Sequence, residues 1–296
     1  MYLVFVKIHN FFTMFFIETI YVFKQNNLLC EVKFFPCVNS ITYIMRYQDD
    51  STMRVFVGTS GWMYFWNTGG NLKWYIRNTP FNAVELNASF YRFPFRTMVS
   101  SWVRNGRKLR WSIKVNRLIT HKFKMSEKAV EAFRRFRELF RPMEKEGLID
   151  FYLFQLPPMI RPTEYNVKKI ESFVDKVQLG TMFALEFRHI DWFDKKWERW
   201  AERLGITFVS VDAPGFESKI FCSSDRLYLR LHGREEWYSH IYTREEIAEI
   251  LLKIADMENV DAVYIFLNNN HGMLPTGELI IKLIPELLKT DYKREK

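Results

Sequence analysis

The chain reads as an α/β protein: a single (β/α)8 barrel of the triosephosphate-isomerase type, with an N-terminal appendage outside the barrel. Three observations predict this. Eight apolar runs recur from residue 53 onward, helical patterns separate them, and residues 53–296 hold no linker, low-complexity tract or short repeat. The runs are RVFVG (54–58), NAVELN (82–87), RWSIKVN (110–116), DFYLFQL (150–156), MFALEFR (182–188), ITFVSVD (206–212), RLYLRLH (226–232) and AVYIFLN (262–268). Eight strands alternating with helices predict a closed parallel sheet.

The intervening segments agree. Ser126 to Glu146 is predicted as a long amphipathic helix with Phe133, Phe136 and Phe140 on one face, Trp192 to Leu204 as another, and Thr243 to Met257 as a third capped by Thr243. Residues 213–225 carry little helical signal, which predicts a short or irregular crossover between strands six and seven. The arginine run FRRFRELFR (133–141) reads as the solvated side of the first of these helices rather than a nucleic-acid face.

The first 52 residues differ from the rest. They hold eight of the 28 Phe, no Trp and no Gly, and their charges cancel. Tyr2 to Phe23 is apolar enough to raise a membrane anchor, but Lys7, His9, Asn10 and Glu18 interrupt it and no small-residue cleavage site follows. Residues 1–52 are therefore expected to be an extension that supplies no barrel strand, residues 53–296 the barrel domain, and a membrane is not an expected partner.

With 296 residues and 48% hydrophobic content the chain can bury a large core. Its net charge of +9 favours polyanions without locating a site for one. Cys30, Cys37 and Cys222 are odd in number and have no metal-binding spacing, so a reducing, cytoplasmic setting is expected.

In a barrel strand alternate residues face the lumen, and catalytic groups gather at the carboxyl ends. Strand five then points Ala184, Glu186 and Arg188 inward and strand seven Tyr228, Arg230 and His232. Strand two gives Glu85 and Asn87, strand three Lys114 and Asn116, strand six Ser210 and Asp212, strand four Gln155, strand eight Asn268, and Ser60 lies just past strand one. All eight contribute to one polar ring. Burying so many polar groups costs several kcal/mol unless each is paired, so either the ring is a self-satisfied network, Glu85 with Lys114 for example, or it is a site. Its position at the carboxyl ends favours a site.

Five histidines lie beyond Met53, at 121, 189, 232, 240 and 271, all on the predicted rim, but only His232 is fixed by a strand. It is the expected proton-transfer group, with Glu85, Lys114, Glu186 and Asp212 as the other catalytic candidates. No HxH or HExxH spacing appears, and although Glu85, Glu186, Asp212 and His232 could surround a divalent ion, three cations in the same ring would repel it; no metal is expected.

These residues also carry a resemblance. VGTSGW (57–62), VELNASFYRFP (84–94), Trp102, IKVNRLITH (113–121), FQLPP (154–158), LEFRHIDW (185–192), LRLHG (229–233) and FLNNN (266–270) resemble, in order, the motifs of the YecE-like proteins, domain of unknown function 72. The resemblance runs from about Met53 to the C-terminus and implies a (β/α) barrel. It implies no reaction, substrate or cofactor. Two stretches depart from the family pattern, the aromatic MYFWNTGGNLKWYI after strand one and His271 to Pro275 after strand eight. Both bear on the mouth rather than the barrel.

The expected function is an enzyme acting by acid/base chemistry on a small anionic or polyhydroxylated ligand. Arg188, Arg230 and Lys114 would clamp a phosphate or carboxylate, and Ser60, Trp62, Asn87, Tyr91, Asn116, Gln155 and Asn268 would complete the binding surface. On this reading Arg230 is a free anion clamp, and Arg230→Met should leave stability nearly unchanged. The alternative is a nucleic-acid-associated protein using its basic surface, with aromatics beside cations in RWSIK and FYR. A third reading, a barrel that has lost activity and serves as a scaffold, is disfavoured by the retained lumen charges.

Overall fold

The computed structural model describes residues 2–289 apart from 12–14, 25–26, 35–42, 47–51 and 217–218, and side chains from Met53 to Leu287 apart from 217, 218 and 286. Eight parallel strands follow one another around a ring: β1 Thr52–Thr59, β2 Ala83–Leu86, β3 Arg110–Lys114, β4 Ile149–Gln155, β5 Phe183–Glu186, β6 Thr207–Asp212, β7 Arg226–Leu231 and β8 Ala262–Leu267. β8 pairs back on β1 from Ala262↔Arg54 to Leu267↔Thr59, which closes the barrel. The helices on the outside are α1 Leu72–Asn78, the single turn α2 Ala88–Tyr91, α3 Arg96–Asn105, α4 Glu127–Lys145, α5 Glu164–Val177, α6 Lys195–Arg203, α7 Arg244–Ala255 and α8 Met273–Lys289.

The helices form where their apolar spacing and caps predict. α4 buries Ala129, Phe133, Phe136, Phe140 and Met143 along one stripe, while Arg134, Arg135 and Arg141 stay exposed, Arg135 and Arg141 beside Glu131 and Glu138 of the same helix. The arginine run is thus a solvated helix face. α7 starts on a capping box: Thr243 Oγ1 accepts from Glu246 N at 3.2 Å, and the Glu246 carboxylate accepts from Thr243 N at 2.8 Å. α6 begins at Lys195 rather than Trp192, because a 3-10 turn over Ile190–Trp192 intervenes and Asp194 caps the helix.

Between β6 and β7 no helix forms among the described residues; the segment folds back on β6 instead, with one antiparallel bridge between Lys219 and Val211. Where strands and helices meet, aromatic rings fill the space, as with Phe154 stacked on Phe183 at 4.0 Å. Each such buried side chain contributes about 1.5–3 kcal/mol.

Strand pairing fixes which side chains share the lumen. Gly58 pairs with Ala83, Glu85 with Ser112, Lys114 with Leu153, Gln155 with Glu186, and Arg230 with Phe266, so these stand on one face. Gly58 has a steric reason: a Cβ there would lie 2.2 Å from the carbonyl oxygen of Ala83, and only glycine lets β2 approach β1 so closely.

One strand corrects the expectation. Val209 pairs with Tyr228 and Val211 with Arg230, so the valines of β6 face the lumen and Ser210 and Asp212 face outward. The irregular crossover explains the swap. Its backbone has no helix to satisfy it, and Ser210 Oγ, accepting from Phe221 N at 2.8 Å and donating to Phe221 O at 3.1 Å, does so from the outer face.

Ahead of the barrel, Tyr2–Phe11, Phe15–Lys24 and Asn27–Phe34 form a separate antiparallel sheet, and Tyr43–Arg46 pairs antiparallel with the start of β1. All of these strands lie outside the eight-membered ring. No helix among the described residues is long and apolar enough to cross a membrane.

Candidate functional site

The lumen is filled in layers, and the site rests on them. Phe56, Phe151, Tyr228, Tyr264 and Phe266 make an aromatic floor, with ring centroids of adjacent pairs 4.7–4.9 Å apart. Tyr228 links floor to polar ring: its hydroxyl donates to Glu85 Oε2 at 2.6 Å and meets Ser112 Oγ at 2.8 Å. Burial and the neighbouring Glu85 push that phenol far above its ordinary range, so it stays a donor.

Arg230 is the hub of the ring. Its Nη1 donates to Glu186 Oε2 at 2.5 Å and its Nη2 to Glu85 Oε1 at 2.7 Å, with Ser60 Oγ at 3.4 Å. Ser60 Oγ in turn donates to Glu85 Oε1 at 2.9 Å. Arg230, Glu85 and Glu186 are all fully buried. The expected role of Arg230 as an open anion clamp is corrected here: both terminal nitrogens are spent on carboxylates below the mouth, out of reach of solvent. Burial works against its charge, but Glu186 and Glu85 outweigh that and raise its pKa further. In Glu186, burial is likewise outweighed, by Arg188 first and then Arg230 and Lys114, which hold the carboxyl below its usual range.

Arg188 lies one step nearer the mouth. Its Nε donates to Glu186 Oε1, its Nη2 reaches His232 Nε2 at 3.1 Å and Gln155 Oε1 at 3.5 Å, and its guanidinium lies 4.8 Å from the centre of the Trp237 ring. Because arginine only donates, His232 Nε2 accepts and the imidazole proton sits on Nδ1. The Asn268 amide is 3.1 Å from Nδ1, and its oxygen must face that proton. Burial first, then Arg188, Arg230 and Lys114, keep His232 neutral to well below its ordinary pKa. Its lone pair is thus engaged, and in the free protein His232 holds Arg188 in place rather than standing ready as a base.

Lys114 is different from all of these. It is only partly buried, it stands at the carboxyl end of β3, and among the described residues its ammonium makes no hydrogen bond and no ion pair; the Phe90 ring lies 4.6 Å below it. The pairing with Glu85 that the sequence suggested does not form, because Ser60, Arg230 and Tyr228 already occupy both oxygens of Glu85. Burial first, then Arg230, push its pKa down to about 7, against weaker opposing pulls from Glu85 and Glu186.

Asp212, expected in this ring, belongs to another network. From the outer face of β6 its Oδ1 accepts from the Tyr242 hydroxyl at 2.7 Å, and its Oδ2 lies 3.1 Å from Arg234 Nη2, whose Nη1 bonds Glu249 of α7 at 2.9 Å. Removing Asp212 leaves two lumen carboxylates, Glu85 and Glu186, against three cations, Arg188, Arg230 and Lys114. The surplus is Lys114.

The remaining expected binding residues divide. Asn87 is at the mouth, its Nδ2 donating to Ser60 O at 3.2 Å and its Oδ1 buried without a partner among the described residues. Asn116 is buried and structural in its bonds, with Nδ2 to Ser89 O at 2.9 Å and Oδ1 accepting from Leu118 N at 3.0 Å, where the chain turns. Tyr91 stands on the rim, 71% exposed. Trp62 stands apart from the ring, its indole edge-on to Trp102 and Trp111 at 6.3 and 5.9 Å in the outer layer.

Sequence reasoning pointed Tyr228 into the lumen without giving it a role, and did not single out Ser112, Trp237 or Tyr64 as parts of the site. Tyr228 and Ser112 share the lumen-facing alternation, which was the available signal; Trp237 and Tyr64 sit in loops with no periodicity. Tyr64 donates to Ser60 O at 2.9 Å, and burial together with Glu85 raises its pKa to about 12. Among the described residues no three His, Cys, Asp or Glu side chains are grouped to hold a metal ion.

A family model described as "Protein of unknown function DUF72" matches residues 56–283. A solved DUF72 family protein from Thermotoga maritima MSB8 is similar over 78% of this chain and 99% of its own, at 26% identity and a TM-score of 0.66. A second, from Enterococcus faecalis V583, is similar over 81% and 97%, at 20% identity and a TM-score of 0.67, which supports the fold alone. None of the curated proteins matches this chain in sequence.

Proposed function

The chain belongs to the DUF72 family of proteins of unknown function, and from the charge balance at its barrel mouth we propose that it is an enzyme acting by acid/base chemistry on a small anionic or polyhydroxylated ligand. The observation that carries this is the unpaired Lys114. Stability alone would place an apolar side chain there, because a partly buried ammonium without a carboxylate is costly. A ligand anion at the mouth would supply the missing counter-charge, with Arg188 behind it on the Trp237 face. Near neutral pH Lys114 is then the group able to give or take a proton, and Asn87 Oδ1 is an acceptor for a ligand hydroxyl.

The test is thermal unfolding of the wild type and Lys114→Met, with and without inorganic phosphate at constant ionic strength. Phosphate at about 100 times its Kd adds ~2.7 kcal/mol to the wild type. The variant should gain much less, and a wild type indifferent to phosphate and to small phosphorylated or carboxylated sugars would overturn the proposal.

A second reading has its own observation. Beside the mouth, Tyr91, Arg92, Phe93, Arg117, His121 and Lys122 line an open cavity of about 690 Å³ that contains no acidic side chain. An exposed aromatic between cations suits single-stranded nucleic acid, stacking a base while the cations meet phosphates. Binding of an oligonucleotide should then weaken steeply between low and moderate salt and fall on Arg117→Ala; salt-independent binding, or none, removes this reading.

A further inference from the structure

We infer that Lys114 forms an imine with the carbonyl carbon of a small aldehyde or ketone that also carries an anionic group. The inference rests on the reading of the mouth as a ligand site and adds the substrate class and the covalent step. Imine formation needs a neutral, reachable amine held in a fixed place. Geometry meets the last two requirements: Lys114 ends β3 and is only partly buried, its nitrogen lies over the face of Phe90 at 4.6 Å, and no hydrogen bond or ion pair among the described residues ties up the nitrogen. Every other charged group of the ring is engaged. Arg230 and Arg188 hold Glu85 and Glu186, and His232 accepts from Arg188.

The same neighbours set the amine's charge. Burial and the adjacent Arg230 and Arg188 disfavour the ammonium more than Glu85 and Glu186 favour it, which lowers the pKa to about 7 and makes free amine available near neutral pH. His121, which packs edge-on to the same Phe90 ring at 5.1 Å, is pushed down as well, by burial and then by Lys114 and Arg117. Burial is the larger cause in both, but each is also pushed down by neighbouring cations, a local positive field that an anionic substituent would relieve.

The step balances without a further reagent. The Lys114 nitrogen attacks the carbonyl carbon, forming the C–N bond, and its lost proton passes to the carbonyl oxygen. That hydroxyl then leaves as water, taking the second nitrogen proton, and the C=N bond forms. Once protonated, the imine draws electrons from the adjacent carbon, which is how such an adduct makes a neighbouring C–H or C–C bond labile.

The experiment uses the full chain with glyoxylate as an anionic aldehyde and sodium cyanoborohydride as the trap, followed by peptide mapping by mass spectrometry. The expected result is one carboxymethyl group per chain, on Lys114, formed at a rate that rises with an inflection near pH 7. At that pH a surface lysine presents over 100-fold less free amine, so labelling should be that selective to within an order of magnitude. Phosphate should protect Lys114, and acetaldehyde, which carries no anion, should label it at least 10-fold more slowly.

Labelling spread over surface lysines with Lys114 unmodified would overturn the inference, as would undiminished labelling of Lys114→Met. If phosphate stabilises the wild type but glyoxylate spares Lys114, the imine fails and the anion site stands. If Lys114 is labelled but acetaldehyde and glyoxylate react alike and phosphate does not protect, the imine stands and its anionic requirement fails.

Discussion

Arg230 and Lys114 are both cations on lumen-facing positions, yet the structure uses them in opposite ways. Arg230 closes a buried pair of carboxylates, and removing it would strand both Glu85 and Glu186. Arg230→Met should therefore lose about 3–5 kcal/mol in denaturant unfolding. Unchanged stability would mean that the carboxylates find other partners and that Arg230 is held for a ligand after all. Lys114 runs the other way. Its folded pKa, about 7, lies below the ordinary lysine value of 10.5, so between those pH values the unfolded chain binds more protons than the folded one. Stability should rise with pH across that window, and the penalty is greatest below pH 7. Lys114→Met removes it, so the variant should be more stable than wild type at about pH 6, with the advantage shrinking toward about pH 10; no pH dependence in the difference would refute the depressed pKa. His232 adds an acid-side effect of known sign: kept neutral in the fold, it makes stability fall as pH drops below its unfolded pKa of about 6.5. The inward cations were legible from alternation alone. Their division of labour was not, because it depends on which carboxylates reach them, and Asp212 proved to lie on the other face.

At the scale of elements, β6 shows where alternation fails. All eight strands were legible because buried parallel strands are near-continuous apolar runs, and the Thr243 cap set the start of α7, whereas α6 starts at Lys195, three residues after the expected Trp192. In ITFVSVD, however, each register mixes polar and apolar residues, Ile206, Phe208, Ser210 and Asp212 in one and Thr207, Val209 and Val211 in the other, and the pattern does not say which faces the lumen. The structure chooses Thr207, Val209 and Val211 as the inward set because the helix-free crossover needs side-chain partners on the outside. This choice has a measurable consequence. In a lumen layer Ser210→Val would be close to neutral, since valine fills such layers well. On the outer face it leaves the N–H and C=O of Phe221 without their partner, and each orphaned buried group costs about 1–3 kcal/mol. Ser210→Val should thus lower the thermal midpoint clearly, while Val209→Ile, inside the barrel, tests packing of the floor instead. A neutral Ser210→Val would show that the crossover does not depend on this contact.

For the whole molecule the deciding feature is closure. A barrel is stable only as a complete ring, so a segment matters to it according to whether it carries a closing contact. The first inter-strand contacts that close this one are Arg54 with Ala262 and, on the other side of β1, Gly58 with Ala83; the backbone N–H of Arg54 also donates to Asp261 O at 2.9 Å. Every ring contact of β1 therefore lies at or beyond residue 54. Upstream, Tyr43–Arg46 adds four antiparallel partners to Thr52, Met53, Arg54 and Val55. The net worth of each backbone hydrogen bond in that ladder is about 0.5–1.5 kcal/mol. Ordering each residue that makes it costs about 1–2 kcal/mol, so the two nearly cancel. We therefore propose that residues 53–296 fold as an independent domain, and predict that a chain beginning at Met53 unfolds in a single transition with the cooperativity of the full chain. A loss of 1 kcal/mol would move the midpoint of a domain this size by about 2–4 °C, which sets the scale of shift to expect. A drop several times larger, or a broadened transition, would mean that the upstream residues cover apolar surface of the barrel and belong to its fold.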